Sequence, residues 1–345
     1  MKKEIKKIIV SSTAGIKETI LSIPSFFLVK KMYPDAELII VTRRESYEII
    51  KNLPYIDRYF VLDDYKKTEV EEKIAYYNAN VFLALYSDPQ VEKLAKASGA
   101  KIKIGPITSI VSFFTYPKGS IQKRQKALKN EVYYNLDLVK KLDKKRYKDN
   151  FEINQSIYLS NGSKVVADTF FKEKGILGNT LIIGPFNSGK GKNLKDEEYV
   201  NLIKRLKEKD KDRRIILLCS IEEEERVEKI IDEVNIQGIY AFPNGGDILN
   251  AAAIINKGHI YLGPLSGITH LAGVLKKRVV ALYSKKPEMG IERWGILDDE
   301  KVTYIVPDGK NPKENYKASH FTGYNKEIED DILTELEKTL KHYIK

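Results

Sequence analysis

Three short stretches of the chain carry polar and glycine residues that could bind or activate a substrate, and each follows a predicted β-strand. The first is SSTAGIKETILSIPSF, in which Glu18 lies near the start of a predicted helix after the strand Lys7–Ser11. A strand, a loop of small residues and a helix start together form a common site for the approach of a phosphate or a substrate. The helix macrodipole also favours an acidic residue in a first turn, so an ordinary structural role for Glu18 stays open.

The second stretch, LIIGPFNSGKGKNLKDEEY, comes close to a nucleotide-binding P-loop. Gly184, Gly189 and Lys190 have the spacing of that motif, but Gly191 stands where the motif needs Ser or Thr to hold Mg²⁺. The next helix is also predicted to begin only near Asp196, so the loop is too long to curl tightly onto it. These departures argue against a true P-loop.

We interpret this second stretch as a flexible loop that carries Lys192 toward a diphosphate, with Asn187 and Ser188 as polar donors. A lysine ammonium forms charge-assisted hydrogen bonds with phosphate oxygens. A lysine-rich surface loop without a ligand is the alternative.

The third stretch, HIYLGPLSGITHLAGVLKKRVVALYS, places a helix start directly after a buried strand. Ser266 and Gly267 occupy that start, where unpaired backbone N–H groups favour a pyrophosphate. Ser266 would also serve as an N-cap, which explains it without a ligand. His270 follows one turn later and is expected to face the same end, although a lone histidine is more often a packing residue.

Short apolar runs alternate with amphipathic segments along the whole chain, a pattern typical of α/β proteins with parallel sheets. We therefore expect two Rossmann-like domains that face a cleft, with ligands at the carboxyl ends of the strands. The domains are expected at residues 1–150 and 151–345, with their boundary between 145 and 160. A final helix near Glu327–Tyr343 often packs back on the first domain in this architecture.

Composition limits the protein class. The chain has 345 residues and a single cysteine, Cys219, which excludes a disulfide framework and a cysteine-based zinc site. The four histidines show no metal-ligand spacing, and no apolar run approaches the roughly 18 residues of a membrane span. The initial run Ile8–Val10 is too short for a signal peptide, so we expect a cytoplasmic protein.

Positive charge is concentrated in one part of the chain. The formal net charge is +11, and residues 101–150 hold 13 Lys and Arg against 4 Asp and Glu. Such a surface attracts polyanions or an anionic membrane face. A solvated lysine-rich surface without a partner is the alternative.

Taken in order, these segments resemble glycosyltransferase family 9, the lipopolysaccharide heptosyltransferase family. KETILSIPSF is similar to Gly-Asp-Val-Leu-x-Thr-x-Pro-Ala-Leu of the family, with Glu18 at its catalytic aspartate. KNLKDEEYVNLIKRL resembles the Lys-x-Trp-Pro helix, which puts Lys192 at the phosphate-binding lysine. SGITHLAGVLKKRVVALYS resembles the strongest motif, Asp-Thr-Gly-x-x-His-Leu-Ala, and MYPDAELIIVTR and LPYIDRYFVLDD match further segments. Leu265 and Ser266 replace the motif's Asp and Thr.

The resemblance implies an inverting, metal-independent sugar transfer within lipopolysaccharide biosynthesis. Glu18 would be the base, and Lys192 with Ser266 and Gly267 would hold the donor diphosphate. The resemblance also puts donor contacts at Leu265 and His270, and at one glutamate of the cluster that includes Glu222 and Glu224.

The resemblance implies no cofactor and no metal, only a nucleotide-diphosphate sugar as co-substrate, ADP-heptose in the family. The implied acceptor is an anionic glycolipid, with peripheral contact to the inner membrane face. No nucleic acid partner is expected.

Three other classes of function stay open to different degrees. A non-catalytic protein that binds sugar nucleotides or glycans is suggested by Leu265, because the family aspartate contacts the donor sugar. A P-loop kinase or ATPase is suggested by Gly184–Lys190, and the missing Ser or Thr argues against it. A dinucleotide dehydrogenase is weaker, since no Gly-x-Gly-x-x-Gly follows a strand.

Overall fold

The computed structural model describes residues 4–187, 191–297, 300–307 and 319–340. The chain forms two compact units, Met1–Tyr158 (unit 1) and Leu159–Lys345 (unit 2), each built on its own parallel β-sheet. The predicted fold class, α/β with two Rossmann-like parallel-sheet domains, is confirmed.

Unit 1 has a five-stranded sheet with helices between successive strands, and all strand pairs are parallel. Its strands are β1 (Lys7–Ser11), β2 (Glu37–Thr42), β3 (Arg58–Val61), β4 (Val81–Ala84) and β5 (Ile102–Ile104). Its helices are α1 (Ile16–Ile20), α2 (Ile23–Met32), α3 (Arg44–Ile50), α4 (Val70–Ala75), α5 (Pro89–Ala97), α6 (Ile110–Thr115), α7 (Glu131–Lys140) and α8 (Lys144–Asn150).

Unit 2 repeats the arrangement with a six-stranded parallel sheet. Its strands are β6 (Thr180–Ile183), β7 (Arg214–Cys219), β8 (Ile239–Pro243), β9 (Ile260–Pro264), β10 (Arg278–Leu282) and β11 (Val302–Ile305). Its helices are α9 (Asn161–Glu173), α10 (Asp196–Lys209), α11 (Glu224–Val234), α12 (Ile248–Lys257), α13 (Gly267–Val274), α14 (Ile291–Trp294) and α15 (Lys326–Leu340).

The central strands contain continuous apolar runs because helices cover both faces of each sheet. In β1, Ile8, Ile9 and Val10 are all buried, and Ile9 lies beside Ile39 of β2 and Phe82 of β4. A sequence of this kind has no solvent-facing alternation, which is why short continuous apolar runs predicted the strands.

The strand order of each sheet reverses at one place. In unit 1 the order is β3-β2-β1-β4-β5, so the chain leaves β1 to one side and returns to β4 on the other. In unit 2 the order β11-β10-β9-β6-β7-β8 gives the same reversal between β6 and β9. Loops that leave such neighbouring strands in opposite directions open a crevice at their carboxyl ends, where open α/β sheets bind ligands.

The segment after α8 belongs to unit 1, so the division between the units falls after Tyr158, within the interval 145–160. Gln155 Nε2 donates to the carbonyl of Ile20 at 3.2 Å, and Asn52 Nδ2 donates to the carbonyl of Tyr158 at 3.0 Å. The final helix, α15, packs Ile332, Leu333 and Leu336 into the core of unit 2.

No helix within the described residues combines the length and the apolar character that crossing a membrane requires.

Candidate active site

Glu18 lies in the short helix α1, directly after the loop that leaves β1. A Cβ atom built on Gly15, the residue before this helix, would lie 3.3 Å from Glu18 Oε2, so the carboxylate folds back over the helix start. Glu45 Oε1, from α3, lies 3.9 Å from the same point. The Glu18 side chain is 22 % exposed and lies 3.5 Å from Lys17 Nζ. Glu18 is therefore held in place yet reachable from solvent.

A buried polar network fixes the backbone of α1 from behind. Ser22 Oγ donates to the Glu18 carbonyl at 2.8 Å, and Ser12 Oγ donates to Ser22 Oγ at 3.1 Å. Tyr86, from the loop after β4, donates its hydroxyl to the same Glu18 carbonyl at 3.4 Å. Asn135 Nδ2 reaches Tyr86 Oη at 3.2 Å and Ser22 Oγ at 3.4 Å. The loops on the two sides of the β1–β4 reversal are thus joined at Glu18.

The network ends at a buried ion pair that the sequence did not reveal. Arg124 forms a salt bridge with Glu131, which is fully buried, and donates to Asn135 Oδ1 at 3.2 Å and to the Leu85 carbonyl at 2.9 Å. Its guanidinium also lies 5.0 Å from the Tyr86 ring centroid. Burial, with a smaller effect from Glu131, raises the pKa of Tyr86 well above its usual range, so this hydroxyl stays a hydrogen-bond donor.

In unit 2 the start of α13 is capped by Ser266. Its Oγ accepts from the Thr269 backbone N–H at 3.2 Å and lies 3.0 Å from Thr269 Oγ1. The N-cap interpretation is therefore correct for the side chain. A helix start still leaves its first backbone N–H groups without intrahelical acceptors, and Gly267 and Ile268 are part-exposed there.

Tyr261, a buried residue that the sequence did not single out, lies under this helix start. Its hydroxyl is 3.3 Å from Thr269 Oγ1, and burial raises its pKa to about 12. A Cβ atom on Gly184 would lie 2.2 Å from Tyr261 Oη, and one on Gly263 would lie 2.5 Å from it. Both glycines are therefore needed so that the ends of β6 and β9 can close over the tyrosine.

The described part of the loop after β6 is packed against neighbouring segments. Lys192 is only 4 % exposed. Its carbonyl accepts from Asn187 Nδ2 at 3.2 Å, and a Cβ on Gly191 would lie 2.9 Å from that same amide nitrogen and 3.4 Å from the Leu265 carbonyl. The loop thus lies against the segment that leads into α13. Ser188 lies outside the described residues.

Asn193, which the sequence also did not reveal, anchors this loop. Its Nδ2 donates to the Pro185 carbonyl, and its Oδ1 accepts from Tyr199 Oη at 2.8 Å. Its backbone N–H donates to the Ser319 carbonyl at 3.1 Å, and its carbonyl accepts from Phe321 at 3.0 Å. Because both side-chain and backbone groups of Asn193 are engaged, the neighbouring Lys192 is fixed close to α13.

The glutamates that follow β7 lie in different environments. Glu222 is fully exposed, and hydrogen bonds from its own backbone N–H and from Ser220 lower its pKa. Glu223 Oε2 accepts from the Ser220 backbone N–H at 3.0 Å, closing a capping box. Glu224 begins α11 near the end of β7. Burial raises the pKa of the Cys219 thiol to about 12, and the nearby charge of Glu224 is the second cause of that rise.

The remaining predicted donor contacts, Leu265 and His270, are both buried. Leu265 stands between β9 and α13, and its backbone N–H donates to the Leu282 carbonyl at 3.1 Å. The His270 backbone N–H donates to the Ser266 carbonyl at 3.3 Å, as the first full turn of the helix requires. Their side-chain roles toward a ligand stay predictions.

The structure therefore groups the candidate residues by unit. Asn187, Lys192, Leu265 and Ser266 come together at the β6–β9 reversal of unit 2, and Glu224 lies at the end of the neighbouring β7. Glu18 belongs to unit 1. In the parts of the chain that the structure describes, no group of three or more His, Cys, Asp or Glu side chains is placed to share a metal ion.

Solved structures with the same fold include sugar-transferring enzymes. ADP-heptose lipopolysaccharide heptosyltransferase II of E. coli matches with a TM-score of 0.78 and 14% identity over 98% of this chain and 99% of that one. The glycosyltransferase family 9 protein of Veillonella parvula matches at 0.79 and 16% over 99% of both chains. The E. coli heptosyltransferase WaaC, solved with ADP, matches at 0.67 and 13% over 96% and 99%.

At these identities the three structures show the fold alone. No protein of curated function matches the chain in sequence.

The family model of glycosyltransferase family 9 (heptosyltransferase) matches residues 97–321, more than half of the chain. The match includes Lys192, Ser266, Gly267 and His270, whereas Glu18 precedes it. The chain therefore belongs to glycosyltransferase family 9, the heptosyltransferase family, and is a glycosyltransferase.

Proposed function

We propose that this protein transfers a sugar, heptose in keeping with its family, from a nucleotide-diphosphate sugar to a lipopolysaccharide-core or related glycan, with inversion and without a metal ion. The observation that carries this proposal is the position of both candidate sites at strand-order reversals of separate parallel sheets. Glu18 lies at one reversal, and the α13 start with Lys192 lies at the other. These are the places where open α/β sheets bind ligands.

Unit 2 would bind the donor. Backbone N–H groups at the start of α13 would bind the diphosphate, and the Lys192 ammonium would offset its charge. Glu224 is the better candidate for the ribose, because Glu222 and Glu223 already accept local hydrogen bonds. The solved WaaC complex contains ADP, which is the reason to include ADP-sugars among the donors to test.

Unit 1 would supply the base. The Glu18 carboxylate takes the proton of an acceptor hydroxyl while the hydroxyl oxygen attacks the anomeric carbon. The bond between that carbon and the diphosphate oxygen breaks, and the nucleoside diphosphate leaves with the electron pair. Oriented amides and Lys192 stabilise the charge that develops on the leaving group, a task that a divalent metal performs in other enzymes.

The same proposal places the protein in the cytoplasm and requires no cofactor besides the sugar donor. Its acceptor would be an anionic glycolipid at the inner membrane face. The positive charge of residues 101–150 in unit 1 supports this part of the proposal, because a cationic surface attracts anionic acceptors.

A second candidate function is binding of a sugar nucleotide or glycan without transfer. Leu265 favours it, because an apolar, buried side chain replaces the family's aspartate beside the donor site. A thermal-shift screen with ADP-, GDP- and UDP-sugars identifies the donor, since a ligand that binds only the folded state raises the melting temperature. Release of nucleoside diphosphate with acceptor glycans then separates transfer from binding.

The deciding variant is E18Q. Gln has nearly the same shape but cannot take the proton, so transfer should fall about 10²–10⁴-fold while donor affinity and melting temperature change little. The matched control is E45Q, because Glu45 is an exposed carboxylate beside the same Gly15. Near-normal transfer by E18Q contradicts the assignment. If E45Q alone loses transfer activity, the catalytic base is Glu45 of α3 instead of Glu18.

A further inference from the structure

Helix α6 of unit 1 has its polarity reversed. Its polar members, Ser112 and Thr115, are buried, whereas Ile110, Phe113 and Phe114 are 79%, 58% and 75% exposed. A surface helix ordinarily turns its apolar residues to the core. Neighbouring exposed apolar side chains of this size mark an interaction site.

The buried hydroxyls of α6 have a local explanation, so the inward face needs no ligand. Ser112 Oγ accepts from the backbone N–H groups of Thr108 and Ser109 at 2.8 and 2.7 Å, and Ser109 Oγ accepts from the Ser112 N–H at 3.1 Å. Thr115 Oγ1 donates to the Val111 carbonyl at 2.8 Å. The polar residues of the helix thus satisfy its own backbone, and only the apolar face remains for a partner.

The loop that carries α6 is firmly attached to the sheet. Tyr116 is fully buried, its ring would lie 2.9 Å from a Cβ on Gly105, and its hydroxyl is 3.0 Å from Ser87 Oγ. The two arms of the loop pair through Ile107 N–H to the Ser120 carbonyl at 2.8 Å. The exposure of the phenylalanines is therefore fixed by the fold rather than by an unfolded loop.

The chain segment that contains α6 carries charge of one sign. Residues 101–130 contain seven Lys and Arg and no Asp or Glu. Arg124 is engaged with the buried Glu131, but Lys118, Lys123 and Lys126 are exposed. Lys118 lies within the anchored loop, just after the helix. Aromatic side chains next to lysines suit a negatively charged lipid surface, where the rings enter the boundary of headgroups and acyl chains and the ammonium groups meet phosphates.

We propose that α6 and the lysines that follow it dock this protein on an anionic phospholipid bilayer. A helix of six residues is about 9 Å long, so it lies in the interface and does not cross the membrane. The inference deepens the proposed function, since it brings unit 1 to the surface that holds a lipid-linked acceptor. Vesicle binding needs neither donor nor acceptor, so either proposal can fail without the other.

The test measures cosedimentation of the full chain with vesicles of phosphatidylglycerol and phosphatidylcholine at low and high salt. The double variant F113S/F114S should bind about a hundredfold more weakly at both salt concentrations, because each inserted ring contributes roughly tenfold. The triple variant K118S/K123S/K126S should lose binding mainly at low salt, because screening already weakens the charge contribution at high salt.

The matched control is V165S/L177S, which removes two apolar side chains of unit 2 that are 61% and 86% exposed and should leave vesicle binding unchanged. F113S/F114S should also keep transfer to a water-soluble acceptor, which shows that it folds. Wild-type binding by F113S/F114S, or no vesicle binding by the wild type, overturns the proposal. It is also overturned if light scattering finds a dimer that F113S/F114S dissociates, since α6 would then join two copies of the chain.

Discussion

At the scale of single residues, the least expected feature of the candidate donor site is the burial of Lys192. A surface lysine contributes little to stability, whereas a lysine that is 4 % exposed also fills space with its aliphatic stem. Removing its charge and removing its volume are therefore different experiments. Only the first tests phosphate binding.

We expect K192M to weaken nucleoside diphosphate binding by about one to two orders of magnitude, the equivalent of roughly 1.5–3 kcal/mol for a charge-assisted bond. Met keeps most of the aliphatic stem, whereas Ala leaves a cavity. The melting temperature of K192M should therefore fall less than that of K192A. Titration calorimetry measures the affinity, and K195M is the control because Lys195 is largely exposed. An unchanged affinity in K192M would remove this residue from the site.

The sequence could identify Lys192 but not its burial. The neighbouring Asn193 fixes the loop through Pro185, Tyr199 and the distant Ser319 and Phe321, and no local pattern reveals bonds of that range.

Arg124 shows the same limit of sequence-based prediction. It belongs to the basic segment that suggested a cationic surface, but it is part-buried and bonded to the buried Glu131 and to the Leu85 carbonyl. Charge counting cannot separate such a residue from its exposed neighbours, because its carbonyl acceptor, Leu85, lies 39 residues earlier in the chain, just after β4.

At the scale of elements, the interior strands were the most predictable part. β1 has the predicted limits, Lys7–Ser11, because both faces of this strand are buried and its apolar run ends at polar residues. The sequence did not predict α8 or β11. Residues 144–150 form α8, since Asp143 accepts from two backbone N–H groups as its N-cap. β11 is a short edge strand whose residues are mostly part-exposed, so it lacks a continuous apolar signal.

The junction of β6 and β9 gives a prediction at this scale. G184A should destabilise unit 2 by about 1–3 kcal/mol, because the new methyl group would meet Tyr261 Oη and overpacking costs that much. Y261F should recover part of the loss in the double variant, since the hydroxyl is the nearest atom.

Urea unfolding of G184A, Y261F and the double variant closes the cycle and gives their coupling free energy. If the losses of unfolding free energy in the two single variants simply add in the double variant, the new methyl group does not meet the Tyr261 hydroxyl, and strand β6 shifts as a whole instead.

At the scale of the whole molecule, each unit has its own sheet and its own buried core, and all proposed donor contacts lie in Leu159–Lys345. We therefore expect the isolated segment 159–345 to fold cooperatively and to bind the nucleoside diphosphate with the affinity of the full chain, but to transfer no sugar. Circular dichroism and calorimetry check the two statements, with K192M in the same segment as the control. Nucleotide binding by segment 1–158 alone would reverse the assignment of donor and acceptor units.

The single cysteine allows local opening of unit 2 to be measured by chemical labelling. Cys219 is buried at the end of β7, and burial raises the pKa of its thiol to about 12, so the reactive thiolate is scarce at neutral pH. A disulfide reagent must then wait for the strand end to open, so its reaction rate counts local openings of this edge of the sheet. Unit 1 contains no thiol and is therefore not labelled in such an experiment. A donor bound at the neighbouring Glu224 would hold this edge of the sheet closed and slow the labelling of Cys219. Among the nucleotide sugars tested, the one that gives the slowest labelling would be the one that fits best.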